Sequence, residues 1–245
     1  MVKYLLKKSY RLKNLKEIKY DDLWNKDGVF TTMWLYNKPQ KILFFKSHID
    51  NLLKSLKAYK IYEKDIRNKI LRLIYENIDK KKFYNHLLRI ALNKKIISIS
   101  LRDKIRPKQN FGIRLVDYER VRPQYKNLKY KKILNYLSKI NTSKEDVALC
   151  VKDKIFETGT SNLLFVKNNK IYSPKNKYYK GINLKFYEKK FRIIKKNIYL
   201  KELNQFDEIL LIGSGKGVVS AKYILDNHWK RRKSNVFYLM NRTFR

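Results

Sequence analysis

The sequence predicts an α+β protein of two domains, an N-terminal α/β sandwich followed by a C-terminal barrel-like β domain with helices. Three observations carry this reading. Strand patterns and two amphipathic helical patterns share the first 108 residues. A stretch holding Pro107 and Pro123 follows, and beyond it short strands come in quick succession with few helices between them. The expected division is residues 1–108, a linker region at 109–125, and residues 126–245.

Taken in order, VFTTMWLY (29–36) and KILFFK (41–46) read as strands joined by the turn NKPQ. Ser47 is placed to cap a helix running to about Tyr59, with Ile49, Leu52, Leu53 and Leu56 on one face. Ile66, Ile70, Leu73 and Ile74 mark a second helix over 63–78, and strands follow at 85–92, 96–101 and 112–118. The first half is therefore an antiparallel sheet with helices to one side. Past the linker, Ile133, Leu134, Leu137 and Ile140 make 129–140 amphipathic. Strands are expected at 147–151, 154–156, 162–167, 170–172, 208–212 and 217–221, then a last amphipathic segment at 229–242.

Composition narrows the class of protein. With 245 residues, 44% of them apolar, the chain can bury a sizeable core. The formal charge of +38 invites a polyanion partner, but the lysines are spread along the chain among Asn, Ile and Tyr without a block. They read as composition bias on solvated faces, so nucleic acid is not the expected partner. Cys150 is the single cysteine, which rules out an intramolecular disulfide, and in VALCV it reads as a buried inert thiol of a reducing compartment. No stretch is apolar enough for a signal peptide or a membrane span, so the expectation is a cytoplasmic protein without a membrane partner.

Several chemistries drop out. Three histidines and one cysteine give no metal-ligand spacing, and G-x-S-x-G is absent. GSGKG (213–217) lacks both the earlier glycine and the trailing Ser/Thr of a Walker A loop. A strand pattern follows it, not a helix, so it is no dinucleotide fingerprint. It reads as a tight turn between strands whose amides and Ser214 hydroxyl can face one phosphate.

Two segments point to a cofactor: KILNYL at 132–137 and, about 20 residues later, KIFETGTSN at 154–162. A lysine opening an apolar segment and a glutamate in a small-residue turn are the two groups that pyridoxal phosphate needs, one to hold it as a Schiff base and one to pair with its ring nitrogen. With DGVF (27–30), HIDNL (48–52), LLRIAL (87–92), SPKNKYYKGIN (173–183) and DEILLIGSGKGVVSA (207–221), the order and spacing resemble those of the fold-type IV pyridoxal-phosphate enzymes, the class IV aminotransferases. The resemblance covers nearly the whole chain. It implies pyridoxal 5'-phosphate as cofactor, Lys132 as the Schiff-base and proton-moving lysine, and Glu157 as the pyridinium partner. It further implies Arg89 as the receiver of a substrate carboxylate, and backbone amides at Ile182 and Asn183 with Ser214 as the phosphate seat. Tyr136 is placed either to bond the ring hydroxyl or to pack in the core.

Four positions depart from the family pattern. Asn51 and Leu184 stand where arginines are usual, Thr31 where glutamate is, and Lys95 where glycine is. Lys54, one turn beyond Asn51, can stand in as a point charge on the phosphate. Within the family the short chain, IALNKK (90–95) and the W-K-R segment look most like aminodeoxychorismate lyase, which yields 4-aminobenzoate and pyruvate. A branched-chain or D-amino acid aminotransferase is the alternative. Either acts on a small-molecule amino substrate, and the fold type implies a homodimer. A basic nucleic-acid binder and a degenerate homologue that takes up no cofactor are the rivals outside the enzyme class.

Overall fold

The computed structural model describes residues 3–244 and divides into two compact units, Met1–Lys104 with Tyr125–Lys131, and Ile105–Gln124 with Lys132–Arg245.

The first unit is built on a six-stranded sheet in the order β2-β1-β6-β5-β3-β4: β1 (Tyr4–Arg11), β2 (Glu17–Ile18), β3 (Val29–Asn37), β4 (Lys41–Ile42), β5 (Tyr84–Leu92) and β6 (Ile96–Asp103). Every pairing is antiparallel. The helices α1 (Phe45–Ala58) and α2 (Ile66–Asn77) set Ile49, Leu52, Leu56, Ile70 and Leu73 into one core with Met33, Leu35, Leu88 and Ile99 of the sheet. Two local expectations fail here. The strand expected over 41–46 stops at Ile42, because Phe44 turns left-handed (φ 52°) and the chain enters α1 at Phe45. Ser47 therefore lies exposed in the helix's first turn, and no side chain caps α1.

The second unit holds nine strands: β7 (Phe111–Asp117), β8 (Glu145–Val151), β9 (Lys154–Thr158), β10 (Asn162–Lys167), β11 (Lys170–Pro174), β12 (Ile193–Lys196), β13 (Ile198–Tyr199), β14 (Glu208–Gly213) and β15 (Gly217–Ile224). They form one mixed sheet in the order β12-β11-β10-β14-β15-β7-β8-β9-β13. Its two edges, β12 and β13, are separated in the chain by Asn197 alone. A single residue spans under about 4 Å, so the sheet must curl until its edges lie side by side. That is the barrel-like geometry expected. Its interior is packed by Phe111, Ile113, Leu163, Phe165, Leu211 and Trp229.

Among the described residues three α-helices, α3 (Lys131–Ser138), α4 (Ile182–Glu188) and α5 (Asn235–Thr243), and a short 3-10 helix at Leu200–Gln205 accompany this sheet. Residues 109–125 are not a linker: β7 lies inside the nine-stranded sheet between two parallel neighbours, β15 and β8. The returning stretch 125–131 joins the first unit instead, through Phe30 N–H to Lys126 O (2.9 Å) and Leu128 N–H to Gly28 O (3.0 Å). The last helix begins at Asn235 and not at 229, because Trp229 is buried and donates its indole N–H to Phe206 O (2.8 Å).

Candidate active site

Six of the eight residues singled out in the sequence lie in the second unit. Lys132 is the second residue of α3, with its side chain exposed and its Nζ 4.8 Å from the Tyr118 ring centre. Tyr118 neighbours Tyr136, the rings 6.5 Å apart, and burial pushes the Tyr118 hydroxyl pKa up. The helix is fixed by Ile133, which is fully buried against the turn after β9. That turn needs Gly159: a Cβ there would meet Ile133 Cγ2 at 3.1 Å and Val147 Cγ2 at 3.0 Å. The lysine's helix is thus packed directly on the segment that carries Glu157.

Glu157 lies on β9, 4% exposed, and its Oε1 is 2.9 Å from Arg120 Nη2. Its Oε2 accepts the Tyr179 N–H (3.2 Å). Both side chains of the pair are out of water, 4% and 5% exposed, so the pairing is strong only because its geometry is fixed. Arg120 is held further by donating to Pro123 O (2.8 Å). Arg120 sits in the stretch read as linker, and its only sequence signal was a charged residue in a Pro-flanked segment, which is no signal at all.

Residues 179–183 are positioned by Asn162, whose Nδ2 donates to Tyr179 O (2.6 Å) and whose Oδ1 accepts the Gly181 N–H (3.0 Å). This places Ile182 and Asn183 at the start of α4. Asn183 is 1% exposed, its Oδ1 is 3.5 Å from Ser214 Oγ, and its Nδ2 has no hydrogen-bond partner. Ser214 lies in the three-residue turn joining β14 to β15, which Gly217 closes at φ +72° with open space beside it. The hairpin reading of GSGKG therefore holds. Its Lys216, the group a nucleotide loop would aim at phosphate, instead meets Asp146 Oδ2 at 2.9 Å.

Arg89 and Lys54 belong to the first unit. Arg89 on β5 is 8% exposed, stacks 3.8 Å over the Trp24 ring and donates to Asp22 O (2.9 Å), while its Nε has no hydrogen-bond partner. Burial pulls its pKa down to about 10. Lys54 is exposed on α1, the helix that also carries Asn51. Two departures acquire physical causes. Thr31, where glutamate is usual, is buried and bonds His48 Nδ1 through its hydroxyl (2.9 Å). Leu184, where arginine is usual, is 1% exposed in a core with Tyr187 and Leu210, a place a guanidinium would not share.

With this geometry in hand, the chain can be set beside known proteins. Residues 28–224 match the family described as amino-transferase class IV. The chain belongs to the class IV aminotransferases. This is a family of enzymes on a pyridoxal-phosphate-dependent fold. No curated protein sequence matches. Among solved structures, a branched-chain amino acid aminotransferase of Escherichia coli superposes with a TM-score of 0.77 at 13% identity, over 97% of this chain and 93% of that one. A candidate 4-amino-4-deoxychorismate lyase of Legionella pneumophila gives 0.73 at 16%, over 89% and 90%. A hypothetical aminotransferase of Mycobacterium tuberculosis in its pyridoxal-phosphate-bound form gives 0.69 at 13%, over 97% and 98%.

The residues present suit that cofactor. A buried amide donor without a partner, beside a serine hydroxyl in a glycine-closed turn, is what a phosphate would satisfy. An exposed lysine amine suits an aldehyde, and a buried carboxylate fixed by a guanidinium suits a protonated ring nitrogen. Among the described residues no group of three or more His, Cys, Asp and Glu is placed to hold a metal ion.

Proposed function

We propose that this chain binds pyridoxal 5'-phosphate through Lys132 and acts on a small-molecule amino substrate as an aminodeoxychorismate lyase. The carrying observation is that Ile133 packs the helix of Lys132 onto the Gly159 turn, directly after the buried Glu157. Pyridoxal phosphate bound there supplies an electron sink for negative charge developing on the substrate carbon.

The protein's own groups divide the remaining work. The Lys132 amine would hold the cofactor's aldehyde carbon and, once displaced by substrate, take a proton at Nζ and return it elsewhere. Glu157 would face the ring nitrogen, with Arg120 and the Tyr179 N–H fixing the rotamer of its carboxylate. Asn183 Nδ2, the amides of Ile182 and Asn183, and Ser214 Oγ would donate to the phosphate, taking up part of the task left by the absent arginines at 51 and 184. Tyr136 and Tyr118 would shield the amine. The reading includes a cytoplasmic homodimer.

The lyase reaction is supported by the IALNKK pattern and by the fold shared with the Legionella pneumophila protein. Chain length does not separate it from transamination, since this chain spans 93% of the Escherichia coli branched-chain enzyme. That similarity favours a second reading, branched-chain or D-amino acid transamination. Two assays decide. Release of pyruvate and 4-aminobenzoate from 4-amino-4-deoxychorismate is the expected result. Turnover only of leucine or D-alanine with 2-oxoglutarate would replace the lyase with the transaminase.

A further inference from the structure

Lys216 is the residue of the GSGKG turn that the functional reading leaves without a task, and it is not a surface lysine. Its side chain is 10% exposed, its Nζ lies 2.9 Å from Asp146 Oδ2 and 4.7 Å from the Phe111 ring centre. Asp146 is fully buried. The same Oδ2 accepts the hydroxyls of Thr158 (2.9 Å) and Thr160 (2.6 Å), and Oδ1 accepts the Val147 N–H (2.9 Å). One carboxylate therefore gathers four donors, one from its own strand and three from two other segments. Lys216 comes from the β14–β15 turn, two residues after Ser214. Thr158 and Thr160 come from the segment immediately after Glu157.

Burying such a pair is costly, and apolar groups of similar size often serve stability as well or better. Stability is thus a weak account of it. What the pair adds to the ladder pairing of Asn162 with Ile212 is a side-chain tie from the turn of Ser214 itself to the strand end of Glu157. We propose that Lys216 and Asp146 form a brace that sets the spacing between the phosphate seat and the ring-nitrogen partner, making both positioning residues for the cofactor. The inference rests on the pyridoxal phosphate reading above.

The test exploits charge balance. Lys216→Met alone strands a buried carboxylate and can fail to fold. The double variant Lys216→Met with Asp146→Asn removes one positive and one negative charge together, and the Asn carbonyl can still accept from a threonine hydroxyl. It therefore isolates geometry from net charge. Affinities for pyridoxal phosphate and for pyridoxal are measured by absorbance titration of wild type, the double variant and Lys216→Arg, with thermal melts to verify folding. In the folded double variant, pyridoxal phosphate binding should weaken by roughly tenfold or more, the scale on which misplacing a binding group costs function. Pyridoxal binding should change far less, and the pH profile of the bound-cofactor absorbance should move. Lys216→Arg, which keeps the pair, should restore most of the phosphate preference. A folded double variant with the wild-type ratio of the two affinities and the wild-type pH profile overturns the brace alone. A wild-type chain that takes up no pyridoxal phosphate overturns the functional reading and the brace with it.

Discussion

The second unit buries two ion pairs that look alike in exposure and differ in what surrounds the acid. Asp146 is bound by Lys216, two threonine hydroxyls and a backbone amide, so its oxygens are spoken for by neighbours that hold the chain together. Glu157 is held by a forked guanidinium and the Tyr179 amide, both on elements that border the proposed cofactor seat. A carboxylate saturated by the fold is an anchor. One that is merely oriented by the fold is available to chemistry.

The sharpest way to break this distinction is to remove one partner from each pair. Lys216→Met should destabilise the protein by about 3–5 kcal/mol, because it leaves a charge buried without compensation, and adding Asp146→Asn should recover most of that loss. Urea unfolding of the three proteins measures it; equal stabilities would show that the pair is not buried as described. Glu157→Gln also removes one charge of a buried pair, so it should cost stability on the same scale, about 3–5 kcal/mol, and in the folded variant lower activity by about 10²–10³. Retained activity with lost stability would reverse the assignment of the two acids.

Smaller effects sharpen the picture. Asn183→Ala removes a buried donor that has no protein partner. It should leave folding intact and weaken pyridoxal phosphate about tenfold, the value of one bond to a charged acceptor. If pyridoxal weakens equally, Asn183 is not a phosphate donor. The first unit offers a neutral contrast in Thr31 and His48. Burial, with Lys126 nearby, pulls the His48 pKa from 6.5 to about 3. The unfolded chain therefore binds a proton that the folded chain refuses below pH 6.5. His48 stabilises fully above that value, and stability should fall by up to about 1.4 kcal/mol per pH unit from 6.5 towards 3. Unfolding curves of wild type and His48→Gln across pH 4–7 measure this; identical slopes would show that His48 titrates freely.

How much of this was legible beforehand depended on whether a residue's role is local. The apolar-rich runs at 29–36 and 85–92 and the helical spacing of Ile66, Ile70 and Leu73 are local facts, and the elements formed where they indicate. KILFFK has an equally good strand pattern, but one left-handed residue, Phe44, diverted it into a helix. Lys132 and Glu157 were found because their neighbours form motifs. Arg120, Asp146, Asn162 and Lys216 owe their roles to partners distant in the chain, Glu157 for Arg120, Gly181 for Asn162, and each other for Asp146 and Lys216, and no local motif announces it. Cys150 illustrates the readable kind: its apolar neighbours implied an inert thiol, and burial pushes its pKa up to about 12.

The central claim is that Lys132, among many lysines, carries the cofactor. The direct measurement is borohydride trapping of purified protein with pyridoxal phosphate, followed by peptide mapping, in wild type and Lys132→Ala. The expected result is a single label on Lys132, no label in the folded variant, and activity lower by more than about 10³-fold there. Label on Lys129, Lys131 or Lys216, or wild-type labelling in Lys132→Ala, would contradict it.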